Sequence, residues 1–206
     1  MQYVHAKKVI DVLLALISLL ILWPIFILLG VLIKLDSKGP ILFKQKRIGK
    51  NKKEFNILKF RTMRIDTPKD TPTHLLGDSK AYITRIGAFL RKTSLDELPQ
   101  IINILKGDMS IVGPRPALWN QYDLIQERDL YNANSIDPGL TGWAQVNGRD
   151  ELPIDIKAKL DGEYVNELGP LMDIKCFIKT VISVVKREGI VEGNVSSTKK
   201  EVKKAK

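Results

Sequence analysis

Residues 12–33 carry no charged side chain, the longest such apolar run in the chain. As a helix these 22 residues would reach roughly 33 Å, about the thickness of a bilayer hydrocarbon core. A cleaved signal peptide would have a shorter apolar region and a small-residue cleavage site. Here the run continues directly into Lys34 and Asp36, so residues 1–36 are expected to form a retained membrane anchor. Pro24 lies near its middle, where it removes a helix hydrogen bond and crowds the preceding turn, and a helix break is predicted there. Basic residues flank both ends: Lys7 and Lys8 before the run, then Lys34, Lys38, Lys44, Lys46 and Arg47 after it. A spanning helix would export one of these clusters, against the tendency of Lys and Arg to stay cytoplasmic. A re-entrant helix and a straight span kinked at Pro24 both fit the residues.

Beyond the anchor the pattern shortens. Ser37-Lys38-Gly39-Pro40 is a turn. Residues 41–47 and 55–61, two runs mixing apolar and basic side chains around Gly49-Lys50-Asn51, predict a β-hairpin with a cationic face. Residues 66–80 read as an irregular loop. Helices are expected over residues 82–91, from Ser94 or Asp96 onward, and over residues 118–130, with loops at residues 107–116 and 138–142. Leu171, Ile174, Ile178, Val181 and Val185 recur at helical spacing and predict an amphipathic helix to about Arg187. Its apolar stripe would pack on the core, the commoner case, or lie in a membrane interface. Residues 37–190 then form one domain, mainly α with a small β-hairpin (α+β), and the lysine-rich residues 191–206 a disordered tail.

Charge and cysteine narrow the function classes. The formal net charge of +10 suits polyanions: nucleic acid, nucleotide phosphates or an anionic membrane surface. No helix-turn-helix spacing, zinc-ligand set or aromatic stacking motif supports nucleic acid as a partner. Cys176 is the single cysteine, which excludes an intrachain disulfide; in its apolar helical setting it reads as a small buried hydrophobe.

The densest chemistry lies at Arg91-Lys92-Thr93-Ser94-Leu95-Asp96-Glu97-Leu98-Pro99-Gln100. Pro99 suits a first helical turn, so Asp96 and Glu97 should sit near a helix N-terminus, where the macrodipole keeps carboxylates ionised and their pKa low. An ionised Asp is a competent nucleophile or Mg²⁺ ligand. Ser94-x-x-Glu97 is also a capping box, and by itself that is the plainer reading. Gly113-Pro114-Arg115-Pro116 adds an Arg in a stiff loop, suited to gripping phosphate; Arg91, Lys59 and Arg61 are further cations for a pyrophosphate.

These stretches resemble the bacterial sugar transferases, the monotopic polyprenyl-phosphate phosphoglycosyl transferases in their minimal form. The resemblance runs from Lys8 to about Gly189. It rests on Ser37-Lys38-Gly39-Pro40, Phe43-Lys44-Gln45, Arg47-Ile48-Gly49 and Lys59-Phe60-Arg61-Thr62-Met63, and most on residues 91–100 and 103–116. Pro138-Gly139-Leu140-Thr141-Gly142-Trp143-Ala144-Gln145-Val146-Asn147-Gly148-Arg149 extends it.

The resemblance implies a two-step reaction at the cytoplasmic face of the inner membrane. Asp96 would attack the β-phosphorus of a UDP-sugar and release UMP. Undecaprenyl phosphate would then take the phospho-sugar, in the first membrane step of capsule, O-antigen or glycoprotein glycan assembly. Glu97 would assist, Asp96 and Glu97 would hold Mg²⁺, and Arg115, Arg91, Lys59 and Pro114 would form the phosphate site. Thr141, Gly142, Trp143, Asn147 and Arg149 would form the nucleotide-sugar region. The family's re-entrant helix favours the non-spanning topology, although many members carry Ser-Pro where this chain has Trp23-Pro24. A leaning towards N-acetylated amino sugars comes from Gln121-Tyr122 and Gly148-Arg149-Asp150-Glu151, and residues 71–78 are candidates for sugar choice. Whether the enzyme acts alone or as a homodimer stays open. The competing reading is a membrane-tethered basic scaffold, which would tolerate Asp96→Asn.

Overall fold

The computed structural model describes residues 2–67, 79–148 and 152–186. The first element, α1, is a 35-residue helix, Gln2–Asp36, with Pro24 inside it. The expected break is thus not an interruption: helix continues on both sides of the proline. Proline forfeits one backbone bond, to the carbonyl one turn earlier, and that loss is local. Side chains on either side of it are packed down. Ala15, Leu19 and Leu22 pack with Ile101, Ile104 and Met109, while Phe26, Leu29 and Ile33 pack with Phe60 and Leu90. The remainder of α1 is bare, with Leu20, Ile21 and Trp23 between 57% and 68% exposed.

The predicted hairpin is present, with each strand shifted by one residue. β1 (Leu42–Ile48) pairs antiparallel with β2 (Glu54–Phe60), Leu42 opposite Phe60 and Ile48 opposite Glu54. The turn places Asn51 and Lys52 in the left-handed region, at φ 53° and 61°. Helices α2 (Ser79–Tyr82) and α3 (Arg85–Thr93) follow. The Thr84 hydroxyl caps α3 by accepting from the Gly87 amide at 3.0 Å. Helix α4 (Gln100–Lys106) ends on Gly107 at φ 80°, which a residue without a Cβ adopts readily. The Asn103 side chain stitches α4 to β2, accepting from the Leu58 amide at 2.9 Å and donating to the Asn56 carbonyl at 2.8 Å.

Two stretches expected as loops hold short strands. β3 (Ser110–Val112) and β4 (Gly139–Thr141) pair in parallel. Three residues are too few to display a period-two pattern, and flanking Gly and Pro mask them. Helix α5 (Tyr122–Asp129) is shorter than predicted; α6 (Trp143–Val146) and α7 (Ile154–Asn166) were not predicted at all. The buried set of α7 includes Ala158, Asp161 and Gly162, so it has no apolar stripe to find. It is joined to α5 by a buried ion pair, Arg128 Nη2 to Asp161 Oδ2 at 2.5 Å.

Helix α8 (Pro170–Lys186) corresponds to the amphipathic helix, and of the two placements left open its stripe takes the one away from the core. Met172 and Cys176 are buried, whereas Leu171, Ile174, Ile178 and Val181 are between 47% and 82% exposed. Packing of that stripe on the core is therefore excluded. The polar residues at its first turn and the Cys176 side are what meet the domain. Burial pushes the Cys176 thiol up to about 11, in keeping with an unreactive core residue.

Candidate active site

The loop between α3 and α4 carries the acidic pair. Ser94 sits in the left-handed region at φ 57° and its hydroxyl caps nothing, so the predicted capping box does not form. Leu95–Glu97 is instead a single 3₁₀ turn, and Pro99 precedes α4 as its N-cap residue. Asp96 and Glu97 consequently lie before the helix rather than in its first turn.

Glu97 is clamped. Its Oε1 accepts from Lys59 Nζ at 2.7 Å and from Arg115 Nη2 at 2.9 Å. Burial works against its charge, but the Arg115 and Lys59 cations outweigh that and hold the carboxyl well below the usual range. Asp96 is the opposite case. Among the described residues no hydrogen bond or ion pair reaches its carboxylate. Burial raises its pKa, Lys59 pulls it back, the Glu97 charge adds to the rise, and Arg91 and Arg115 lower it; the net shift is upward. The expectation of a low pKa from the helix dipole is corrected: only a single 3₁₀ turn starts there, the α-helix begins at Gln100, and desolvation dominates.

The cations come from separate elements. Lys59 projects from β2 between buried Leu58 and Phe60. Arg91, near the end of α3, donates from Nε to the Thr62 hydroxyl at 2.9 Å. Arg115 follows β3 in a loop pinned to β4: the Gly113 amide donates to the Thr141 carbonyl at 2.8 Å, and the Gly139 amide to the Pro114 carbonyl at 2.9 Å. A Cβ on Gly113 would meet the backbone of Asp137 and Gly139, so that position needs glycine. Pro114 is buried, with its carbonyl accepting from the Gly139 amide.

Arg61 does not join the site. It is 4% exposed, and its guanidinium donates to the carbonyls of Ile33, Ser37 and Lys38, satisfying the C-terminal end of α1. The group predicted around residues 141–149 divides. Thr141 and Gly142 back the Arg115 loop, and the Thr141 hydroxyl is bonded to that of Thr180 at 2.6 Å. Trp143 and Asn147 turn towards α7 and α8 instead. The indole donates to Glu163 at 3.1 Å, Lys175 and Lys179 lie 4.5 and 4.4 Å from its ring centre, and Lys179 donates to Asn147 Oδ1 at 3.1 Å. Arg149, Asp150, Glu151 and residues 71–78 lie outside the described residues, as does the tail. Thr62, Lys175 and Lys179 were missed by sequence reasoning; only contact in space singles them out.

Among the described residues no three His, Cys, Asp or Glu side chains gather as a metal site. Mg²⁺ needs fewer: one or two carboxylates with substrate phosphates and water. The open Asp96 carboxylate and Glu97 Oε2, the oxygen not taken by Lys59 or Arg115, fit that requirement.

A bare apolar helix, a hairpin and a small helical domain thus surround an acidic pair with cations from three elements, a setting suited to an anionic group. Residues 2–187 match the bacterial sugar transferase family, and the chain belongs to it. It is 40% identical to a UDP-glucose:undecaprenyl-phosphate glucose-1-phosphate transferase of Xanthomonas campestris pv. campestris, over 89% of this chain and 39% of that one. It is 41% identical to the "uncharacterized sugar transferase EpsL" of Bacillus subtilis (strain 168), over 79% of this chain and 78% of the relative. It is 35% identical to a UDP-N-acetylgalactosamine-undecaprenyl-phosphate N-acetylgalactosaminephosphotransferase of Aeromonas hydrophila, over 89% of this chain and 44% of that protein. The chain thus spans less than half the length of the Xanthomonas and Aeromonas relatives.

Proposed function

We propose that this chain moves a sugar 1-phosphate from a UDP-sugar to undecaprenyl phosphate through a covalent intermediate on Asp96. The observation that carries this reading is the contrast within the acidic pair: a clamped, ionised Glu97 beside an Asp96 carboxylate with no partner among the described residues. An Asp96 oxygen attacks the β-phosphorus; the bond from that phosphorus to the bridging oxygen breaks, and UMP leaves with the electron pair. A phosphate oxygen of the lipid then attacks the same phosphorus, the aspartyl bond breaks, and polyprenyl diphosphate sugar is formed. Lys59, Arg91 and Arg115 offset the negative charge that builds up as anionic substrates approach. Mg²⁺, held by Asp96 and Glu97 when bound, supplies further charge neutralisation.

The donor proposed is a UDP-N-acetyl amino sugar, which the name of the Aeromonas relative favours; the name of the Xanthomonas relative makes UDP-glucose the competitor. The proposed setting is the cytoplasmic face of the inner membrane, with α1 re-entrant rather than spanning and the backbone bond forfeited at Pro24 letting it bend without losing helix. Support comes from the two ends of α1, which both bind the same domain: Lys7 pairs with Asp173 at 2.6 Å, and Ser37 is held by Arg61 at 2.6 Å. A helix of roughly 50 Å crossing upright would set those ends on opposite sides of the bilayer. The exposed face of α8, flanked by Lys175 and Lys179, is proposed to lie in the interface beside it.

The test is incubation with Mg²⁺, undecaprenyl phosphate and a panel of UDP-sugars including UDP-glucose, alongside Asp96→Asn. UMP release by wild type alone supports the reading and names the donor. UDP release contradicts it, and function unchanged in Asp96→Asn would favour a scaffold.

A further inference from the structure

Near its N-terminus α1 carries a polar cluster that the chemistry above does not use. The Asp173 carboxylate, in the first turn of α8, accepts from Tyr3 and Lys7 on Oδ2 and from Tyr164 on Oδ1, each at 2.6 Å. Lys7 also lies 3.6 Å from Asp11, and Asp11 accepts from the Ser110 hydroxyl at 2.5 Å. Tyr164 is shared between Asp173 and the Val112 carbonyl, which it reaches at 3.0 Å. Lys7, Asp11, Ser110 and Tyr164 are between 1% and 8% exposed. The cluster therefore joins α1 to α7, α8 and to β3, the strand that leads into Arg115.

Between this cluster and the C-terminal end of α1, where Arg61 grips the Ile33 carbonyl and Asp36 accepts from the Ile86 amide at 3.0 Å, the α1 contact is an apolar seam, Ala15, Leu19, Leu22, Phe26, Leu29 and Ile33. In water such a seam would be held by the hydrophobic effect. In lipid the acyl chains are as apolar as leucine, so the seam gives close packing but little preference for one axial position over the next. Directional groups must supply that preference. The attested use of buried polar groups is to fix register at some expense in stability.

We propose that Asp173, Lys7 and Tyr164 are positioning residues forming a register lock that fixes the N-terminal half of α1 along its axis against the catalytic domain, the C-terminal end being held by Arg61 and Asp36. Resting on the proposed function, the lock sets where the lipid phosphate meets Asp96, so its loss weakens the lipid step and leaves the nucleotide-sugar step alone. Two variants test it. Asp173→Asn removes the shared charge. The pair Lys7→Met with Asp173→Leu replaces the ion pair with apolar groups, a change that commonly preserves stability while removing direction.

Spin labels on cysteines placed at Leu20, exposed on α1, and at Lys53, exposed in the hairpin turn, report the register in phosphatidylethanolamine–phosphatidylglycerol nanodiscs. Wild type should give one narrow distance. Both variants should broaden it or add a population displaced by about 5 Å, one helical turn. The KM for undecaprenyl phosphate should rise about tenfold while that for the UDP-sugar stays within about twofold. A wild-type distance distribution in the apolar pair overturns the lock, as does an equal change in both KM values. Should no UDP-sugar be turned over by wild type, the functional reading fails, and the distance measurement still decides the lock.

Discussion

Asp96 and Asp173 are both carboxylates set among cations and buried groups, yet their surroundings differ in one respect. Asp173 has both oxygens occupied, by two tyrosines and a lysine. Asp96 is desolvated next to Lys59, Arg91, Arg115 and the Glu97 charge, with its own oxygens unclaimed among the described residues. A saturated carboxylate holds elements together; an open one, raised in proton affinity and ringed by cations, is available to a phosphorus atom. Glu97 stands between them in character, with one oxygen committed to Lys59 and Arg115.

Substitutions test that distinction directly. The largest effect is expected from Asp96→Asn: loss of UMP release by about a thousandfold or more, with thermal stability unchanged or slightly raised, because an asparagine there has no charge to desolvate. Thermal melts beside the nucleotide assay check both halves. Next is Glu97→Gln, which removes the charge that Lys59 and Arg115 both grip. It should reduce turnover about a hundredfold and, unlike Asp96→Asn, lower stability by about 1–3 kcal/mol. Equal stability of the two variants would erase the distinction between the carboxylates.

The pH profile sharpens the same contrast. Because the Asp96 pKa is raised, its carboxylate takes up a proton at a higher pH than the ordinary aspartate value of about 3.9. The acid limb of kcat/KM for the UDP-sugar should accordingly lie above that value, with activity falling as pH drops through it. Glu97, depressed, stays ionised across the limb. In Glu97→Gln the like charge is gone and the cations turn to Asp96, so the limb should move to lower pH. An unmoved limb would assign it to another group.

A smaller effect is expected on the membrane side. Phe177→Ser on α8, where Phe177 is 54% exposed, should weaken retention on anionic vesicles by about 1–2 kcal/mol without altering UMP release in detergent. Sedimentation with vesicles measures it.

Legibility followed the range of the interactions. The apolar run, the hairpin and the acidic pair are local, and the chain order alone pointed to them. The stripe of α8 was found but its surroundings were left open, since periodicity identifies a stripe without saying which medium it meets. Arg61 looked like a site cation because charge cannot distinguish a group facing substrate from one facing helix carbonyls. The capping box at Ser94 failed for a backbone reason, its left-handed conformation. Most remote was the α1 cluster, whose members at positions 3, 7, 11, 110, 164 and 173 are adjacent only after folding.

The central claim is that Asp96 becomes covalently bonded to phosphorus. Intact-mass measurement of the protein with Mg²⁺ and the donor UDP-sugar, in the absence of lipid acceptor, addresses it most directly. The account predicts an added mass of one sugar phosphate located on the peptide containing Asp96, matched by UMP release and cleared by undecaprenyl phosphate. UMP that forms only when the lipid is present, with no adduct on the chain, would contradict it.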